Sequence, residues 1–343
     1  MRRNWGARVH EITLAGLRAV VLQNELLRVT VLAGKGGDVV EFLYKPRDMD
    51  FVWLSPDGLR DPRDVAGGAG DDVAAFLDGY EGGWQEVLPN GGAPSVYRGA
   101  RLAQHGEVAG LPWDAEIVAD DPQEVAVRLS VRARRLPLRV VKTFRLAAGE
   151  GELTVEEELA NESDVALDVM WGHHIVFGAP FLKPGHRIRV PGGARVVPHG
   201  TPIGPDGRRV RAGGPYPWPH VPAEGGGTVD LSVVPARGEP SEIVYLTDLG
   251  EGRYEVVDPA GGPGLRVRWD ASVLPHLWMW QELGATVDHP WWGRAYVVGL
   301  EPFAGHPTDG LAAAVENGTA LKLGPRGVRR SWLRAGVIEG GTQ

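Results

Sequence analysis

An all-β fold, built as one large antiparallel sandwich, follows from three features of the sequence. Strand-length runs of Val, Ile, Leu and aromatic residues recur along the chain, 49 glycines and 27 prolines are scattered between them, and helical patterning is confined to two short alanine-rich stretches. At 343 residues the chain is long enough for one large all-β unit, because sandwiches and barrels often exceed the usual domain size.

Strands are predicted, in chain order, at 26–33, 38–44, 123–133, 138–146, 152–160, 166–171, 242–247, 253–257, 265–269 and 277–282. The stretch 153–159 shows the reasoning. Leu153, Val155 and Leu159 share one face, while Thr154, Glu156 and Glu158 share the other, so one side is buried and one is wet. Helices are predicted only at 71–78, which opens on acidic residues suited to a helix N-terminus, and at 311–316. The Gly- and Pro-rich stretch 202–227 reads as a surface excursion. No composition break or fixed-period repeat divides the chain, so a single domain over 1–343 is expected, its edge strands covered or twisted away from neighbours.

Composition excludes several partners. The formal charge of −8 is spread along the chain with no basic block, which argues against nucleic acid and anionic membranes. No run approaches the roughly 20 apolar residues of a membrane span. With no cysteine there is neither a disulfide framework nor a thiolate metal site. The opening Met1-Arg2-Arg3-Asn4-Trp5 is basic but leads into no apolar run, and a cytoplasmic protein is expected.

Four segments concentrate chemistry: Gly82-Gly83-Trp84-Gln85-Glu86-Val87-Leu88-Pro89-Asn90-Gly91-Gly92, His105-Gly106-Glu107, Trp171-Gly172-His173-His174-Ile175-Val176-Phe177-Gly178, and Gly299-Leu300-Glu301-Pro302-Phe303. Each sets titratable or amide side chains beside glycine or aromatic rings. Sugars need that mixture, polar groups for the hydroxyls and flat apolar faces for the ring C–H surface.

The His-Gly segment, a histidine following a strand that ends in Asn161-Glu162-Ser163, and the late Leu-Glu-Pro stand in an order that resembles the galactose mutarotase (aldose 1-epimerase) family. That resemblance implies a galactose mutarotase-like supersandwich with few short helices. It also implies an enzyme that interconverts sugar anomers. Carried over by position, Glu301 is the base that takes the anomeric proton, His174 the acid at the ring oxygen, and His105 a sugar-binding residue. His174 is preferred to His173 because it stands three residues before Phe177, the spacing in the relatives. The family's Asn-Arg pair before the first histidine and its Glu-Thr-Gln around the base are absent. Glu86, Asn90 and Glu107 are expected to read the hydroxyls instead, with His173 nearby. The chemistry is consistent: opening a cyclic hemiacetal needs one proton to leave O1 as another reaches the ring oxygen, and a carboxylate and an imidazole suffice.

Plainer readings compete. A histidine in a β protein is more often hydrogen-bonded structure than catalyst, and most of the twelve tryptophans would fill the core. Trp84, Trp113 and Trp171 adjoin the motif segments and are the expected sugar platforms. His173 and His174 are adjacent on a strand and point to opposite faces, so they do not share an ion. No metal and no cofactor are expected. The expected partner is a monosaccharide or modified sugar, on a monomer or homodimer. A carbohydrate-binding or sensor protein without turnover, or another carbohydrate-active enzyme on the same fold, is the alternative.

Overall fold

A computed structural model describes residues 3–62 and 72–340. The chain begins with four antiparallel strands joined in sequence: β1 (Arg8–Leu14), β2 (Leu17–Gln23), β3 (Leu27–Leu32) and β4 (Asp38–Tyr44). After helix α1 (Asp72–Gly79), β5 (Trp84–Val87) continues this first sheet. A meander of β6 (Asp114–Asp120), β7 (Glu124–Arg132), β8 (Leu138–Ala147) and β9 (Glu152–Asn161) starts a second sheet. The chain then alternates between sheets. β10 (Gly172–Phe177), β12 (Arg195–Pro198), β13 (Glu242–Thr247), β16 (His276–Glu282) and β17 (Val297–Phe303) join the first. β11 (Arg187–Arg189), β14 (Arg253–Val257), β15 (Gly264–Trp269) and β18 (Val328–Ile338) join the second. The first sheet runs β1-β2-β3-β4-β5-β10-β17-β16-β13-β12, with Tyr216–Pro217 at its edge, and the second runs β11-β14-β15-β18-β9-β8-β7-β6.

The two sheets bury their facing apolar rows against each other. Val20, Leu22, Val29 and Val31 from the first meet a layer with Val125, Val127, Leu129, Val140 and Val155 from the second, all nearly inaccessible to water. The alternation that builds these rows admits four ionisable intruders. Lys142 lies between Val140 and Phe144 on the inward row of β8, and Glu157 between Val155 and Leu159 on that of β9. The two are directly paired across the strands. Facing them from the first sheet is a second direct pair, Glu86 on β5 and His173 on β10.

These four side chains pair with one another, with Glu157 Oε1 left buried without a hydrogen-bond partner. Lys142 Nζ lies 3.3 Å from Glu86 Oε2, and His173 Nε2 lies 3.0 Å from Glu157 Oε2. Trp171 Nε1 donates to Glu86, and Trp84 Nε1 donates to His173 Nδ1 at 3.0 Å. The Lys142 ammonium also sits 4.8 Å from the centre of the Trp113 ring. Burial alone would push Glu86 up, but His173 and Lys142 hold it below the usual carboxylate range. Glu157, raised by burial and by the charge of Glu86, is pushed up to about 7. His173 is lowered by burial, yet Glu157 and Glu86 carry it above its ordinary value. One proton shared by His173 and Glu157 leaves the group of four without net charge.

Most expected strands coincide with observed ones to within a residue or two, and α1 and α2 (Leu311–Glu316) stand where helices were expected, Asp71 lying outside the described residues. The stretch 166–171 is shorter than expected, a three-residue strand Leu167–Val169 paired with Leu321–Leu323. The stretch 202–227 is more than a surface excursion. Val210 and Val221 are fully buried, His220–Pro222 pairs with Thr228–Asp230, and Tyr216–Pro217 covers the edge of β12.

Removing one partner from a buried charge group leaves the other uncompensated. Lys142→Met is therefore expected to destabilise the fold by about 3–5 kcal/mol in urea unfolding, with much of the loss recovered when Glu86→Gln is added.

Candidate active site

β10 reads Gly172-His173-His174-Ile175-Val176-Phe177 and is buried along its whole length. Successive side chains of a strand leave on opposite faces. His173 points between the sheets, so His174 projects from the other face of the first sheet, into a cavity of about 490 Å³. Register carries that face across neighbouring strands. His174 lies level with Glu301 of β17, since Gly172 pairs with Phe303 and Val176 with Gly299; Glu301 pairs with Trp278 of β16, and Trp280 with Ile243 of β13. These residues form the floor. Phe76 of α1, Tyr80, His105, Trp291, Ile203 and Pro205 supply walls from the loops.

At the centre, His174 Nε2 lies 3.7 Å from Glu301 Oε1, and Tyr80 OH lies 3.4 Å from His174 Nδ1. Glu301 Oε2 is buried without a hydrogen-bond partner. A buried carboxylate oxygen without a partner is costly, and this one belongs to a residue that lines the cavity. Gly299 makes the room: a Cβ there would stand 2.5 Å from Glu301 Oε1.

His105 is held by strained backbone. Its φ of 53° is left-handed, a conformation uncommon outside glycine and frequent at functional sites. Its N–H donates to Gly92 O at 2.9 Å, and its ring lies 5.3 Å from the His174 ring and 4.7 Å from that of Phe76.

The cleft shifts all three titratable groups toward their uncharged forms. Burial pushes His105 down to about 4. Burial, with His105 as a smaller cause, pushes His174 well below its ordinary value. Burial pushes Glu301 well above the ordinary carboxyl range. With His174 lowered and Glu301 raised, the pair holds one proton near neutral pH, and it resides on the carboxyl. Among the described residues no Lys or Arg lines the cavity, while Glu282, Glu301 and Asp309 do.

Of the ten residues singled out from sequence, the structure brings Glu301, His174 and His105 together at this cavity. The other seven line no part of it, and their expected contact with a sugar is corrected accordingly. Glu86, His173, Trp84, Trp171 and Trp113 are occupied between the sheets. His173 adjoins the cleft residue His174 in sequence, and strand alternation turns it inward. Asn90 is a buried brace: its Oδ1 accepts the Leu311 N–H at 2.7 Å, and its Nδ2 donates to Ala93 O and Ala103 O. Glu107 accepts the Arg135 N–H at 2.8 Å and opens onto a separate groove with Arg101 and Arg134.

Cleft residues that sequence reasoning did not assign include Tyr80, Trp278, Trp280, His199 and Asp309. Only the two tryptophans left a signal, sharing one face of the expected strand 277–282. Glu86, Glu157 and His173 each offer a ligand atom within 4.8 Å of the others. Lys142 already supplies positive charge there, and the two indole N–H groups occupy the remaining directions, so the donor set fits a closed polar core better than a cation.

The burial of the two cleft imidazoles is directly testable. His105 and His174 should keep the 15N shifts of neutral rings down to about pH 5, below the ordinary imidazole midpoint.

No curated protein matches the sequence. Solved structures do. A Klebsiella pneumoniae protein provisionally described as an aldose 1-epimerase superposes with a TM-score of 0.74 at 16% identity, over 98% of this chain and 88% of that one. Galactose mutarotase-like proteins from Clostridium acetobutylicum (TM-score 0.66, 11% identity, 97% of this chain and 99% of that one) and Lactobacillus casei (0.61, 16%, 93% and 100%) are similar. At such identities the likeness establishes the fold, which is galactose mutarotase-like. A family model described as a domain of unknown function (DUF4432) matches residues 14–337, and the chain belongs to that family.

Proposed function

We propose that the protein is an aldose 1-epimerase-like isomerase that interconverts sugar anomers by acid/base ring opening. The observation that carries this reading is the buried His174–Glu301 pair, 3.7 Å apart on the floor of an aromatic-walled cleft, with one carboxylate oxygen unpartnered. The description borne by the Klebsiella pneumoniae relative agrees with it.

The chemistry needs one proton on the pair in total. Sugar hydroxyls donating to Glu301 stabilise its carboxylate and move the proton to His174. Glu301 then takes the proton of the anomeric hydroxyl as the C1=O1 bond forms. The C1–O5 bond breaks, and O5 receives the proton from His174. The pair is left with a protonated Glu301 and a neutral His174, the state that burial favours. Rotation about C1–C2 and the reverse transfers close the ring as either anomer. No net proton, metal or covalent bond to the protein is required. His105 and Tyr80 border His174 and orient its ring, while Trp280 and Trp291 offer aromatic faces to the sugar.

Anomer exchange measured by NMR over a panel of aldoses tests the reading. Glu301→Gln and His174→Ala should each lower kcat by roughly 10²–10⁴-fold, the range of a general acid or base, while sugar binding persists. Binding without exchange in the unaltered chain would identify a carbohydrate-binding protein instead.

The pH dependence has a defined sign. Activity requires the singly protonated pair, lost at low pH when His174 takes a second proton and at high pH when Glu301 gives up its own. With His174 lowered and Glu301 raised, both limits move away from neutrality. kcat/KM should be level over about pH 6 to 8, without the inflection near 6.5 of an ordinary imidazole.

A further inference from the structure

The cleft is longer than one sugar ring needs. Its floor crosses β10, β17, β16 and β13 in turn, and at the end of β12 the His199 N–H bonds to Ile243 O of β13. Strands lie about 4.8 Å apart, and although His199 stands four strands from His174, Asp309 beside it bridges to Gly92, whose carbonyl accepts the N–H of His105, the ring next to His174. A pyranose is about one such spacing across, so a ring seated on His174 and Glu301 leaves the β13–β12 end bare. The cavity's volume falls within the roughly 300–1,000 Å³ of sites that enclose drug-sized molecules.

The bare end has its own chemistry. His199 Nδ1 is engaged by Tyr245 OH at 2.8 Å, and that hydroxyl is fixed in turn by the Thr308 N–H at 2.9 Å and Thr308 Oγ1 at 2.8 Å. The ring is thereby locked with Nε2 free, 3.8 Å from Asp309 Oδ1. That gap is too wide for a direct hydrogen bond and suits a hydroxyl that bonds to both. The Asp309 side chain is 56% exposed, so its carboxylate is available. Ile243 beneath, with Ile203 and Pro205 from the 202–227 stretch, provides an apolar surface; Ile203 is 40% exposed. An apolar face beside a hydroxyl-sized polar gap is again the mixture that suits a sugar.

We propose that this end is a subsite for a second sugar ring, and that the preferred substrate is a neutral disaccharide with a free reducing end. Its reducing ring lies on His174 and Glu301, and its second ring, joined through a hydroxyl other than the anomeric one, lies against Ile203 and Ile243 with a hydroxyl between His199 and Asp309. The absence of Lys and Arg from the lining, among the described residues, disfavours a phosphate or carboxylate as the recognised group. The proposal deepens the isomerase reading and rests on it for the position of the anomeric carbon.

The test compares anomer exchange of maltose, cellobiose and lactose with that of glucose, the sugar at their common reducing end. At least one disaccharide should exceed glucose at least tenfold in kcat/KM, and His199→Ala or the milder Asp309→Asn should cut that ratio at least fivefold, mainly through KM. Equal or better turnover of glucose, or a ratio unmoved by both variants, overturns the subsite. If no sugar is turned over, the isomerase reading fails separately. Calorimetric binding of the same sugars to Glu301→Gln then decides the subsite: disaccharides binding at least tenfold tighter than glucose support it, and equal, weaker or no binding overturns it.

Discussion

Everything at the active site depends on which way β10 faces, and that is settled by the four buried ionisable groups between the sheets. Lys142 and Glu157 are directly paired on the second sheet, Glu86 and His173 on the first, and the two pairs close on each other with no net charge. Such groups contribute little net stability, because desolvation offsets most of the attraction. Their effect is on register. Slipping β10 by one residue would bring His174 between the sheets and strand Glu86 and Lys142, so every alternative is penalised by unpaired buried charge. With His173 held inward, His174 has no choice but the cleft.

Two His–Glu contacts, on opposite faces of the same strand, show how surroundings decide protonation. His173 and Glu157 lie 3.0 Å apart beside a second carboxylate and an ammonium, and those charges carry the imidazole up. His174 and Glu301 lie 3.7 Å apart with no Lys or Arg lining their cavity among the described residues, and burial dominates both. The first is an ionic cluster in which each group faces an opposite charge. The second is a neutral pair with a free acceptor, able to change its protonation when a polar ligand enters. Similar side chains thus form a charged cluster on one face and an uncharged pair at a cavity on the other.

The period-two alternation made most of the second sheet legible from sequence, because its strands have one buried and one wet face. It failed where both faces are covered. In β5 and β10 all residues are buried, so polarity no longer reports direction, and Trp84, Glu86, Trp171 and His173 looked as much like cleft residues as His174. Glu157 was overlooked for the converse reason: the apolar row 153–159 was recognised from its leucines and valine, and the glutamate within it signals a polar core rather than a wet surface. Tyr80, His199 and Asp309 come from loops brought together by the sheet order β10-β17-β16-β13-β12, which no local pattern encodes.

Several residues that the motifs flagged still matter to the cleft without touching it. Asn90 joins Ala93, Ala103 and the start of α2, and so ties the segment bearing Gly92 to the one bearing His105. Gly92 packs so closely on Thr308 O that a Cβ could not be accommodated, and Gly106 does the same against Leu88 O; both have left-handed φ. Thr308 in turn holds Tyr245, which locks His199. The rim is therefore one connected set of backbone contacts running from His105 to His199. Its glycines and its asparagine fix the spacing between the two ends of the cleft.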